Sequence, residues 1–256
     1  MSYCWNLLGQ FQLQALMVII VGSFALPATC SGHSSSCETP LIKAIRSRNS
    51  SEIRRLIKAG ANLNEKACPE GNTALFEAIG SKPELAKELI LAGADPNLTA
   101  ANGASPLMAA ASYCLDDIAF LLLKKGAQLN ASDSAGYTPL MQAADECTDG
   151  KMVALLVRAG ASLNAKTKTG KTALIVAAFY GNEAAVMELA AAGADLRAET
   201  NEGETALSIA EGRDVGRKPS HDNICSFLQS VLRAEPTSGP QTRSGEPCPQ
   251  LPRTES

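Results

Sequence analysis

Between residues 38 and 232, small and aliphatic residues return in short blocks separated by polar stretches. Alanine pairs such as Ala109-Ala110, Ala143-Ala144 and Ala177-Ala178 recur, and so do bulkier pairs such as Leu89-Ile90, Leu121-Leu122 and Leu155-Leu156. The blocks predict two short helices per unit: the alanines let neighbouring helices approach closely, and the larger pairs fill the layer between units. Punctuation keeps the same beat. Gly60-Ala61, Gly93-Ala94, Gly126-Ala127, Gly160-Ala161 and Gly193-Ala194 follow one another at spacings of 33, 33, 34 and 33 residues. The second motif is Thr73-Ala74-Leu75, Ser105-Pro106-Leu107, Thr138-Pro139-Leu140, Thr172-Ala173-Leu174 and Thr205-Ala206-Leu207, each with a glycine two residues earlier. Thr39-Pro40-Leu41 begins a more divergent copy. The hydroxyl residue caps the first helix, with proline where a missing N–H costs nothing. Gly93, Gly126, Gly160 and Gly193 end the second helix in the left-handed conformation that side chains resist.

Two motifs in phase over five copies closely resemble the ankyrin repeat, across residues 38 to 232. The resemblance implies an all-α solenoid of about five to six helix-turn-helix repeats with β-turn fingers. The chain departs from that family in places. The histidine usual after Thr-Pro-Leu is replaced by Ile42, Phe76, Met108, Met141, Ile175 and Ser208, so apolar packing has to hold the layers together. Repeat two is one residue short around Gly80-Ser81-Lys82-Pro83, and repeat four one residue long around Cys147-Thr148-Asp149-Gly150. Both changes fall between helices, where length variation is cheap. Lys43, Arg46, Arg48, Glu52, Arg54, Arg55 and Lys58 suit a solvated N-terminal cap. At the far end a helix breaks at Gly212, and a short amphipathic helix is predicted from Asn223 to Leu232.

The N-terminal region differs in kind. No charged side chain precedes Glu38, and an apolar stretch from Leu13 to Leu26 has the length of a secretory h-region. Residues 1–32 are therefore expected to be a signal peptide, despite the absence of Lys and Arg ahead of the apolar stretch. The alternative is an uncleaved anchor, because Leu7 to Ala28 is uncharged and long enough to span a bilayer. A linker over 33–37, the repeat domain over 38–233 and a disordered Pro-rich tail over 234–256 complete the expected division.

Composition narrows the chemistry. Aromatic residues make up 4% of the chain, so the core must be built from Ala, Leu and Ile. The net charge of −3 argues against nucleic acid, which needs clustered Lys and Arg. Only His33 and His221 are present, both outside the five in-phase copies, so a His-based catalytic or metal site is almost excluded on supply. There is no Cys-x-x-Cys spacing for zinc, and neither a metal nor another cofactor is expected. Lys168-Thr169-Gly170-Lys171-Thr172 resembles the end of a phosphate-binding loop, but its Gly and Thr match four sibling repeats, and Ala165 stands where the upstream glycine is required.

Cys114 and Cys147 hold the same place in consecutive repeats. Equivalent atoms of stacked repeats lie about 10 Å apart, against ~4.4–6.8 Å between the Cα atoms of a disulfide. The extra residue beside Cys147 offers a means of closing that gap, provided the chain reaches an oxidising compartment. Cys37 and Cys68 form a second candidate pair, and small buried filler is the alternative for all four. Asn49-Ser50-Ser51, Asn97-Leu98-Thr99 and Asn130-Ala131-Ser132 fit the glycosylation pattern, although Asn97 and Asn130 stand where ankyrin repeats favour Asn in any case.

The resemblance also implies binding through a concave face of fingertips and first helices. Carried over position by position, it selects the finger residues Asn72, Asn102, Tyr137, Lys168 and Lys171 and the helix-end residues Tyr113, Asp145, Glu146, Phe179 and Tyr180. Three of the four tyrosines fall in this set, and rigid aromatic side chains supply contact area at low entropy cost. The expected function is an exported, monomeric, non-enzymatic module that binds a partner protein. The alternatives are a membrane-tethered scaffold, or a small-ligand receptor or enzyme using the concave groove.

Overall fold

The computed structural model describes residues 39–67, 70–212 and 219–234. The expected leader, linker and Pro-rich tail, together with Cys37 and Cys68, lie outside the described residues. Within them the chain forms twelve helices: α1 (Pro40–Arg46), α2 (Ser50–Lys58), α3 (Ala74–Ser81), α4 (Pro83–Leu91), α5 (Pro106–Ser112), α6 (Asp116–Lys124), α7 (Pro139–Glu146), α8 (Lys151–Arg158), α9 (Ala173–Tyr180), α10 (Glu183–Ala191), α11 (Ala206–Glu211) and α12 (Pro219–Ala234). Every odd helix starts from a hydroxyl cap. Thr39, Thr73, Ser105, Thr138, Thr172 and Thr205 accept the backbone N–H three residues on, at 3.1 to 3.4 Å. One of the orphan N–H groups of each helix is satisfied in this way.

The odd helices pack against one another as one layer, and α4, α6, α8, α10 and α12 form a second. The result is the all-helical stack of helix pairs that the periodicity predicts. Among the described residues the only extended pairings are isolated bridges at the finger bases, Lys66 with Thr73 and Glu199 with Thr205. The alanines Ala110, Ala143, Ala144, Ala177 and Ala178 are fully buried where first helices touch, and Leu89, Leu122 and Leu156 fill the space between the layers. Each of those leucines contributes about 1.5–3 kcal/mol. Ile42, Met108, Met141 and Ile175 are buried as well, and Phe76 is half-buried, so apolar packing does replace the missing histidines. In the last repeat, Ser208 instead closes a reciprocal pair: its Oγ accepts the Thr205 N–H at 2.8 Å while its own N–H donates to Thr205 Oγ1 at 3.1 Å.

Hydrogen bonds running from repeat to repeat lock the stack. At the fingertips, backbone N–H groups of Ala101, Ser134, Lys168 and Asn201 donate to the carbonyls of Glu70, Asn102, Ala135 and Thr169 in the preceding finger. Glycine is required here for two reasons. Gly170 has φ +82, and a Cβ on it would lie 2.6 Å from the Asn201 backbone nitrogen. Beyond each second helix, the side-chain oxygens of Asn64, Asn97, Asn130 and Asn164 accept the N–H of Asp95, Gln128, Ser162 and Asp195 in the next repeat, at 2.8 to 2.9 Å. Two of the three glycosylation sequons thus place their asparagine in this ladder.

The connections between paired helices vary as the sequence indicates. Lys82 alone joins α3 to α4, whereas residues 147–150 join α7 to α8. Arg48, Cys114 and Gly181 occupy equivalent loop positions, and all three have positive φ, at +57, +52 and +74. The two ends differ from expectation. In the N-terminal cap, Arg46 and Arg54 are not purely solvated: Arg46 reaches Glu77 at 2.8 Å and Arg54 reaches Glu88 at 2.7 Å, both in repeat two. At the other end α12 runs from Pro219 to Ala234, longer than the predicted Asn223–Leu232. Burial of Ile224, Cys225 and Leu228 anchors it, while His221 places Nε2 3.3 Å from the Phe179 carbonyl.

Candidate functional site

The C-terminal ends of α7 and α9 lie side by side, since first helices stack in register. This brings together Asp145 and Glu146 from α7, Phe179 and Tyr180 from α9, and the finger residues Tyr137 and Lys171. Phe179 and Tyr180 meet edge to face, with ring centroids 5.1 Å apart. The Lys171 ammonium rests over the Phe179 ring, 4.3 Å from its centroid. The Tyr180 hydroxyl favours the ionised form of the Asp145 carboxyl, and the residue remains 44% exposed.

The electrostatics follow from that geometry. Burial pushes the Asp145 carboxyl up to about 7, and the like charge of Glu146 adds to the rise; the Tyr180 hydroxyl and Lys171 oppose it. Burial likewise raises Tyr180 to about 12, with Asp145, Tyr137 and Glu146 contributing. Tyr137 moves up for the same reason, helped by Asp145 and Asp133. Because the Asp145 carboxyl is more basic in the folded chain than in the unfolded one, its protonated form stabilises the fold. That stability is fully present below pH ~4 and is lost as pH rises through about 7. Asp145→Asn should therefore raise stability at pH 8 by roughly 2 kcal/mol, after discounting for partial exposure, and flatten the decline between pH 4 and 8. Urea unfolding at pH 5 and pH 8 measures both effects, and equal slopes for the two proteins would contradict the assignment.

The other selected residues lie apart from this cluster. The Tyr113 ring is 56% exposed and covers Gly80, from which a Cβ would meet its hydroxyl oxygen at 3.1 Å. The single-residue connection at Lys82 leaves that spot open to the ring. Asn72 donates to Glu77 at 3.1 Å within the Arg46–Glu77 group. Asn102 is part of its own finger, its side chain accepting the Ala104 N–H at 3.0 Å. Lys168 is exposed, with its carbonyl accepting from Asn201 Nδ2 at 2.9 Å.

Cys114 and Cys147 do come together, with sulfurs at bonding distance and Cα atoms 5.5 Å apart. Cys114 has φ +52, and Cys147 opens the long 147–150 connection. Cys147 is buried directly after Glu146, whereas Cys114 faces solvent.

One buried residue was not singled out from the sequence. Asn182 donates from Nδ2 to the carbonyls of Ala144 and Cys147, at 3.0 and 2.9 Å, and its Oδ1 caps α10 by accepting the Ala185 N–H at 3.1 Å. It holds the loop that follows Asp145 and Glu146 against the next repeat. A cap is legible in Gly181-Asn182-Glu183, but the two cross-repeat bonds are not.

A groove between α10 and α12 is lined by Glu183, Val186, Met187, Asn223, Ile224 and Phe227, and includes none of Asp145, Glu146 and Lys171. Among the described residues no helix is long and apolar enough to cross a membrane, and no acidic, Cys or His group is arranged to hold a metal ion.

No curated protein matches the chain. A family model described as ankyrin repeats (3 copies) matches residues 19–100, 80–167 and 146–236. Together with the capped helix pairs, the glycine-tipped fingers and the cross-repeat ladders, that coverage places this chain in the ankyrin-repeat family.

Proposed function

We propose that this chain is an exported protein that recognises a partner protein on the face formed by its fingers and first helices. Ankyrin repeats are generally protein–protein interaction modules, and the family is typically non-enzymatic. One observation carries the choice of face. Asp145 and Glu146 have no ion-pair partner among the described residues, and they stand beside the exposed Tyr180 ring. Unpaired charge next to a rigid aromatic surface is what a specific interface consumes. The ladders hold that face in place before binding, so little ordering entropy opposes association. The paired cysteines and the apolar N-terminal segment support export.

The test is affinity capture with the full chain from the compartment in which it resides. Tyr180→Ala should lose the captured protein at least about tenfold, as truncation of an interface aromatic does. Tyr113→Ala, two repeats away, should retain it. A partner held equally by both variants would move the interface off this face.

A further inference from the structure

The cluster at the ends of α7 and α9 is built for a particular kind of contact. We propose that it receives a basic segment of the partner protein, with an arginine guanidinium seated against the Asp145 and Glu146 carboxylates and stacked on the Tyr180 ring. This rests on the interface proposed above and names the chemistry that it selects.

Three features carry it. The first is unmatched charge. Asp145 and Glu146 are adjacent on one helix end and have no ion-pair partner among the described residues. The second is that the nearest cation is already engaged elsewhere. Lys171 places its ammonium on the Phe179 ring, at 4.3 Å, and forms no ion pair among the described residues. It shows that this aromatic surface accommodates a cation while the carboxylates stay open. The third is shape. Tyr180 meets Phe179 in a T-shaped contact and is 44% exposed, so part of the residue is open to a flat group. A guanidinium is planar, stacks on aromatic faces and bonds carboxylate oxygens in pairs; an ammonium does not stack in this way.

The protonation of Asp145 supports the same reading. Its carboxyl is held near neutrality by burial and by Glu146, against the opposing Tyr180 hydroxyl and Lys171. Tyr137 from the finger, with Asp133 behind it, completes the titratable surroundings, and α5 contributes no charged residue. A docked cation favours the ionised carboxylate, so binding releases a proton and tightens as pH rises from 6 to 8.

The experiment is an NMR titration of the isotopically labelled full chain with the acetylated, amidated pentapeptide Gly-Arg-Gly-Arg-Gly. Its citrulline counterpart has nearly the same shape and no charge. The arginine peptide should shift Asp145, Glu146, Lys171, Phe179 and Tyr180, and the Asp145 carboxyl carbon should titrate at lower pH in its presence. The citrulline peptide should bind about tenfold more weakly, as should the arginine peptide to Glu146→Gln. Equal binding of the two peptides, shifts centred elsewhere, or no shift at millimolar peptide would overturn the proposal. The captured partner separates this from the parent reading. A partner lost by Tyr180→Ala yet kept in full by Glu146→Gln would overturn the cation while leaving the interface, and one kept by both would remove the interface itself.

Discussion

Reducing the Cys114–Cys147 bond is expected to lower the unfolding free energy by about 3 kcal/mol while leaving the chain folded at 25 °C. The bond closes a sequence separation of 33 residues between repeats three and four. Constraining a loop of that size removes closure entropy from the unfolded chain. In a stack where each repeat contacts only its neighbours, a cross-link near the centre also resists separation of the two halves. Cys114 is exposed, so a reductant can reach the bond without prior unfolding. Locally little should change, because the buried Cys147 sulfur lies 3.0 Å from the Ala111 carbonyl oxygen and a thiol there can donate to it. Urea unfolding with and without reductant measures the difference. The doubly substituted Cys114→Ser, Cys147→Ser protein should be indifferent to reductant. A difference below about 0.5 kcal/mol in the unsubstituted protein would mean that the bond is not formed in the folded chain, and would withdraw one support for export.

Asn182→Ala should destabilise the protein by about 3–4 kcal/mol, the sum of two orphaned buried carbonyls and a lost helix cap. The side chain is almost fully buried, so water cannot replace it at Ala144 and Cys147. Asn49 supplies the contrast. It caps α2 at 3.2 Å but is exposed, and Asn49→Ala should cost only about 1 kcal/mol. Urea midpoints rank the two, and hydrogen exchange locates the damage. Faster exchange should appear first in α8, α9 and α10. Comparable losses at both positions would mean that the cross-repeat bonds contribute nothing beyond the cap. Because the same loop follows Asp145 and Glu146, the alanine variant should also weaken partner binding more than its stability loss alone explains.

The candidate site was only partly legible in the sequence. Tyr137, Asp145, Glu146, Lys171, Phe179 and Tyr180 could be proposed together because a 33- to 34-residue beat puts equivalent positions side by side. The same logic also selected Tyr113, Asn72 and Asn102, which lie apart from that cluster and make contacts within the fold. Register says which backbones are neighbours but does not say where a long side chain turns. Tyr113 bends over Gly80 because the preceding repeat has a one-residue connection there, a difference in the adjoining unit and not in its own. The coupling of Asp145 to Tyr180 and Lys171 likewise depends on burial and on the path Lys171 takes to Phe179, neither of which has a sequence signature.

What the sequence by itself determined is the architecture. Thr, Ser and Pro start helices and Gly ends them through interactions within a few residues, so each boundary is written locally and the repeat multiplies the signal. The apolar replacements at Ile42, Met108, Met141 and Ile175 announced packing without the usual histidine for the same reason. Tertiary structure alone decided the long-range particulars: the 5.5 Å approach of Cys114 and Cys147, the cross-repeat anchoring by Asn182, the extension of α12 back to Pro219, and the unpaired carboxylates beside Tyr180. Each of these depends on the angle and distance between neighbouring repeats. A shift of an ångström or two there makes or breaks a contact, while the local pattern of residues that encodes the repeats stays the same.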